Sequence, residues 1–463
     1  MPQRWLILAD DLTGAGDCAV SFRRAGLEAS VRWGDGTDLR HGETPGCGAS
    51  TDAPAEAGAS HGGGAERAVL AVNVDSRAMP AAKAAAAHRA ALENGFRPGH
   101  GLIKKIDSTL RGQPVAELAA TLRFLREHGG PGLALVAPAF PATGRTTRDG
   151  RVMLNSAPLE DSPLWARDHT YETANLVAVL NSEGLQARLL PLDEQRRGAA
   201  AITAALGAAL RDGLSAVVCD AETEEDLHQL ARASLPMAAE VFWVGSGGIA
   251  AALAHAGEGE TCHADAALPG KADPASIRLA GGTPSANAHP GGVLLVVGSV
   301  AEASRSSAAA LVSAGRARPV SVAATVLDAG AADSHWQELS RSIAETLGAG
   351  QDVLVEITAD PAADLRRGAA LAARLAELVQ PAAGRLRGLF VTGGETACAL
   401  LGAMGVHGIR MLDEVEAGVP LGITEGALRV PVVTKAGAFG DHGTLGRSLD
   451  HLHKVAGRED EVS

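Results

Sequence analysis

The stretch WLILADDLTGAGD (5–17) decides the reading of this chain: a short apolar run ends in two aspartates and passes through two glycines into a helix-length segment, Gly14–Ala25. A strand that turns at once into a helix opens an α/β unit, in which ligands sit beyond the carboxyl ends of the strands. Asp10 and Asp11 are therefore placed to face a ligand. Gly14 and Gly16 permit a tight turn and leave helix N–H groups free for an anion. Asp10 or Thr13 could equally serve as a plain helix cap.

Working outward, the same rhythm recurs. Apolar runs AVLAVNV (68–74), GLIKKI (101–106), LALVAP (133–138), SAVVCD (215–220) and EVFWVG (240–245) alternate with helix-length segments such as Ala81–Glu93 and Glu222–Ala233. Residues 34–66 and 257–290 interrupt it with Gly, Ala, Ser, Asp and Thr, and read as a surface insertion and a linker. The rhythm restarts with GVLLVVGS (292–299), QDVLVEIT (351–358), RGLFVTGG (387–394) and RVPVVTKAG (429–437). The expected fold is α/β: two α/β domains with largely parallel sheets flanked by helices, the active site in the cleft between them. The expected division is a substrate-binding domain over 1–256, a linker over 257–290, a nucleotide-binding domain over 291–456 and a polar tail over 457–463.

Composition agrees. Of 463 residues, 46% are hydrophobic and 21% charged, which suits a folded chain, and only 3% are aromatic, so cores must come from Val, Leu, Ile and Ala. A net charge of −13 argues against a nucleic-acid partner held by phosphate attraction, yet leaves room for a small anion met by a local cluster of cations. Five scattered cysteines form no disulfide framework and no paired zinc spacing, as expected of a cytoplasmic protein. No stretch approaches the ~20 apolar residues of a membrane span.

Three strings in the first half carry chemistry. IKKIDSTLRG (103–112) places Lys104, Lys105, Asp107, Ser108, Thr109 and Arg111 at a strand end, far more polar groups than a helix cap needs. Such a set suits a polyhydroxylated carboxylate, with cations for the acid and Asp and hydroxyls for the OH groups. NVDSR (73–77) can bring Arg77 to the same rim. APAFPATGRTTRDG (137–150), followed by Arg151, reads as a loop shaped by prolines and glycines whose arginines, Arg145, Arg148 and Arg151, can clamp anions. In the second half, glycine-marked strand ends at Ser299, at VTGGET (391–396) and at VTKAGAFGDHG (433–443) can present N–H groups to phosphate oxygens, although none is a P-loop. His451 and His453 read as residues of a solvent-facing terminal helix rather than metal ligands.

Taken in order, ILADDLTGAGD, VDSR, KKIDSTLRG, APAFPATGRTTRDG, FWVGSGG, VVGS, VTGGET and TKAGAFG resemble the four-carbon acid sugar kinase family. The resemblance implies an N-terminal domain for a sugar acid, a C-terminal domain for ATP with Mg²⁺, and phosphorylation of the terminal hydroxyl of threonate, erythronate or 3-oxo-tetronate. Carried residue by residue, it implies an acid site of Asp11, Arg77, Lys105, Asp107 and Ser108, to which Arg111 is added from the same string. It implies a nucleotide site of Ser299, Gly393, Gly394, Glu395, Thr396, Gly437, Ala438, Phe439 and Gly440. Asp107, then Asp11, is expected to orient or deprotonate the attacking hydroxyl; the metal ligands are not assigned. After GS, VAEASRSSAA (300–309) departs from the family's usual Ser-Pro-x-Thr-type turn. The first string also resembles the DTxGAGD signature of ribokinase-type kinases, where it stands late in the chain, so a ribokinase-like kinase is one alternative. A sugar-acid sensor without transfer is another. The expected partner is a small sugar acid, with no nucleic acid or membrane, and a homo-oligomer is left open. Transfer requires the two halves to meet, with 257–290 as the hinge.

Overall fold

The computed structural model describes residues 2–34, 67–257, 291–298, 301–358, 368–437 and 439–461. The insertion expected at 34–66 and the linker and hinge expected at 257–290 thus lie almost wholly outside the described residues, as do Ser299 and Ala438.

Every apolar run quoted above forms a strand, and fifteen strands share one sheet. The first half contributes eight of them, in the order Glu28–Arg32, Ala68–Asn73, Arg4–Ala9, Gly101–Lys105, Val241–Gly245, Leu133–Ala137 and Ala216–Cys219, with Ala187–Leu190 at the edge. The second contributes Arg318–Ala323, Val353–Thr358, Gly292–Val297, Leu386–Thr392 and Pro431–Lys435, followed by the hairpin Val406–Glu416 and Val419–Gly426. Pairing is parallel within both strand sets, and strands such as Gly101–Lys105 and Gly292–Val297 are buried along their whole length, as helices on both faces require. Among the strands of this sheet the long hairpin alone runs antiparallel, and it does the joining: Gly408–Arg410 pairs with Ser30–Arg32.

Two sheets were expected, and one continuous sheet is found. The strands that join them, Glu28–Arg32 and the hairpin, carry mixed polar and apolar residues that mark them poorly as strands. One face of the core is also continuous, running from Trp5, Phe22 and Trp243 to Leu294, Val296 and Val391. The helix Leu12–Arg24 spans the junction and packs on Pro420 of the hairpin through Gly16.

Two local expectations are corrected. The APAFPATGRTTRDG string is not a plain loop: Arg145–Arg148 and Arg151–Leu154 form an antiparallel hairpin. Its two-residue turn is Asp149-Gly150, both with positive φ (52° and 71°), the combination that matches the twist of paired strands. The final helix runs Thr444–Glu461, so the expected polar tail continues that helix as far as Glu461.

Candidate active site

The turn after the first strand fixes the first two carboxylates. Asp11 caps the helix Leu12–Arg24, accepting from the Gly14 amide at 3.0 Å and from Thr13 Oγ1 at 2.6 Å. The cap read from the sequence at Asp10 or Thr13 thus falls on Asp11 instead. Strand alternation separates the two lysines. Lys105 turns toward Asp10 and Asp11, its Nζ 3.2 and 3.1 Å from their Oδ1 atoms, while Lys104 turns to the opposite face.

Arg77 is the hub. Its guanidinium reaches Asp10 Oδ2 at 2.7 Å, Asp11 Oδ2 at 2.8 Å and Asp107 Oδ2 at 3.3 Å. Arg111 holds Asp107 with both Nε and Nη2, at 3.0 and 2.7 Å, and the Thr109 hydroxyl and amide also donate to it. Ser108 is buried beside them. Burial alone would raise the Asp107 and Asp11 carboxyls, but Arg111 and Arg77 on the first, and Arg77 and Lys105 on the second, overwhelm it and hold both far below the usual range. The acid-site residues read from the sequence thus meet. The cations among them, however, are already engaged by protein carboxylates.

The second half reaches the same place. Gly393, at φ 90°, precedes the helix Gly394–Ala403, whose first turn has no side-chain cap, and a Cβ on Gly394 would stand 2.9 Å from Asp11 Oδ2. Thr396 packs against Gly298 at the end of the neighbouring strand, whereas Glu395 is exposed. Ala436, Gly437 and Phe439 turn their carbonyls to a residue that the sequence did not mark, Lys435. This buried ammonium donates to Ser304 Oγ and to the carbonyls of Ala436, Gly437 and Phe439 at 2.8–3.2 Å. Burial pulls it down to about 8, against the pull of Glu416. Phe439 crosses to the first half, edge-on to Phe140 at 6.1 Å and beneath the Arg145 guanidinium at 4.9 Å.

Asp17, a turn and a half of helix beyond Asp11, closes the first string and drew no role from the sequence. It is buried against Gly247 and Glu414, and burial with the Glu414 charge pushes its carboxyl up to about 8. Among the described residues no group of three or more His, Cys, Asp and Glu side chains is arranged for a metal. The acid-site carboxylates Asp10, Asp11 and Asp107 are each paired with an arginine or lysine. His453 instead pairs with Asp352 at 2.8 Å. No described helix is long and apolar enough to cross a membrane.

In this α/β protein a strand-end cluster of acids and bases from one half meets an uncapped glycine turn from the other, at the strand ends where α/β folds bind their ligands. Comparison with known proteins agrees. Residues 5–253 match the family model described as "Sugar-binding N-terminal domain", and 294–445 match "Nucleotide-binding C-terminal domain". The chain is 41% identical to the D-threonate kinase of Cupriavidus necator over 95% of its own length and 96% of that protein's. It is 31% identical to the 3-oxo-tetronate kinase of Methylobacterium radiotolerans (96% and 98% covered). Its fold is that of a Salmonella typhimurium LT2 crystal structure (TM-score 0.71, 19% identity, 96% of this chain and 98% of that one). The chain belongs to the four-carbon acid sugar kinase family.

Proposed function

We propose that the protein transfers the γ-phosphoryl group of ATP to the terminal hydroxyl of a four-carbon sugar acid, with threonate the first to test, as the substrate named for its 41%-identical relative. The observation that carries this reading is the contact between Gly394 and Asp11, which brings the glycine turn of the second half onto the acid cluster of the first. In this reading residues 1–256 hold the acid and 291–456 the nucleotide.

The uncapped N–H groups after Gly393 and the loop around Lys435 face the phosphates, a use to which free helix N-termini are suited. Magnesium accompanies the nucleotide and screens the charge on its phosphates. Asp107 and Asp11, both held ionised, accept hydrogen bonds from substrate hydroxyls and so orient the attacking oxygen. Phosphoryl transfer asks mostly for positioning and electrostatics, so a weakly basic carboxylate suffices for this task. Arg77 and Lys105 keep the two carboxylates in place.

A coupled ADP-release assay over four-carbon acids of both enantiomeric series and 3-oxo-tetronates tests the reading. The expected result is ADP release that depends on one of these acids. Binding of an acid with no ADP above background would replace the kinase by a sugar-acid sensor.

A further inference from the structure

Arg77, Lys105 and Arg111 each have a protein carboxylate within 3.1 Å. Arg145 has none within ion-pair distance among the described residues, yet only 7% of its surface is exposed. Its Nε is buried with no hydrogen-bond partner, and its one bonded nitrogen, Nη1, donates to the Thr143 carbonyl of its own turn. On the same face of that strand, two residues on, the buried Thr147 Oγ1 is also without a partner. A guanidinium left this way costs free energy until an anion arrives, because buried donors without partners lose their hydration for nothing.

Its surroundings point the same way. Asp107 and Arg111 are the charged groups that act on Arg145, and burial lowers its affinity for the proton. Arg77 Nη2, 3.3 Å from Asp107 Oδ2, is a second buried donor without a hydrogen-bond partner. The ring of Phe439 covers the guanidinium at 4.9 Å, so Arg145 stands between the acid cluster and the nucleotide loop.

We propose that Arg145 receives the carboxylate of the acid substrate, which makes it, rather than Arg77 or Lys105, the residue that distinguishes a sugar acid from an uncharged polyol. This rests on the sugar-acid kinase reading above. A planar guanidinium matches a carboxylate with two parallel N–H donors, and the substrate's own hydroxyls then fall toward Asp107.

The test compares Arg145→Met and Arg145→Lys with the wild type, using threonate and its neutral amide as calorimetric ligands and threonate in steady-state assays. The expected result for Arg145→Met is a loss of threonate affinity of about 10–150-fold, carried by KM for the acid and not by KM for ATP. The amide should lose far less, so that discrimination between the two ligands collapses. Arg145→Lys, which keeps the charge but not the fork, should fall between and serves if the methionine variant does not fold. Equal losses for acid and amide, or unchanged acid affinity in a folded variant, would overturn the assignment. A wild type that neither binds nor phosphorylates any four-carbon acid overturns the parent reading instead, which separates the two failures.

Discussion

A Cβ on Gly394 would stand 2.9 Å from Oδ2 of Asp11 and 3.4 Å from its Cβ, so the glycine turn of one half closes directly onto the capping carboxylate of the other. Asp11 has no room to give way, because Arg77, Lys105, Thr13 and the Gly14 amide all hold it.

Gly394→Ala should therefore act as a wedge between the two halves. Overpacking at a rigid contact costs about 1–3 kcal/mol, which corresponds to a drop of roughly 5–150-fold in kcat/KM if it falls on the assembled site. Steady-state kinetics with both substrates varied, alongside a melting curve, checks this. Wild-type kinetics in the alanine variant would detach the glycine turn from the acid cluster.

How much of this was legible beforehand follows from what each residue type announces. The parallel strands were legible because burial on both faces leaves an uninterrupted apolar run, as in Gly292–Val297. Glu28–Arg32 and Val406–Glu416 were not, since each mixes charged with apolar residues, and they are the strands that fuse two expected sheets into one. The acid cluster was legible from its density of charge. Its internal pairing was not, because a string such as KKIDSTLRG does not say which lysine faces which side. The hairpin turn at Asp149-Gly150 was within reach of the sequence, but Pro138, Pro141 and Gly144 before it suggested a loop. Arg145 could not be told from Arg148 by type; only the fold makes the first a buried guanidinium and leaves the second exposed on Glu222.

Behind the acid cluster lies a second polar group. Lys104 Nζ is 2.7 Å from Glu117 Oε2, and the Ser76 hydroxyl donates to Glu117 Oε1 at 2.6 Å, with His88 alongside, all essentially without solvent exposure. Lys104→Met should strand the Glu117 charge and cost about 3–5 kcal/mol, whereas Lys104→Met with Glu117→Leu should recover most of that loss. Burial would raise Glu117, but Lys104 prevails and holds it below the usual range. The pair's contribution is thus present above the unfolded value of 4.5 and lost as pH falls below it. Urea unfolding at neutral and acid pH measures both effects; a double variant no more stable than the single one would mean that the network matters for more than its charges.

Lys435 offers a proton-counting test of the nucleotide site proposed above. Burial brings it down to about 8, so at that pH about half of the free protein carries it neutral. Phosphate oxygens arriving beside it favour the ammonium and raise its value, so nucleotide binding near pH 8 should take up protons. Calorimetric titration with ADP in buffers of different ionisation enthalpy reads the number directly. Uptake should be lost in Lys435→Met, and equal uptake in that variant would place the phosphates elsewhere.

Asp17 should reveal itself in the pH dependence of stability. It is packed against Gly247 with Glu414 and Asp11 as like charges and Lys105 as the opposing one, and burial with Glu414 raises it from 3.8 to about 8. The folded state therefore holds a proton that the unfolded chain releases, and stability from this group is fully present below 3.8 and lost as pH rises through about 8. Asp17→Asn keeps the shape of the neutral acid and removes this dependence. Its melting temperature, relative to wild type, should rise steadily between pH 5 and pH 8.5, with a gain of at least about 1 kcal/mol at the upper end, since a tenfold difference in proton affinity between folded and unfolded chain is worth ~1.4 kcal/mol. Melting curves of the two proteins at matched ionic strength decide it. A constant difference across that range would mean that Asp17 is ionised in the folded protein, with Lys105 as its counter-charge.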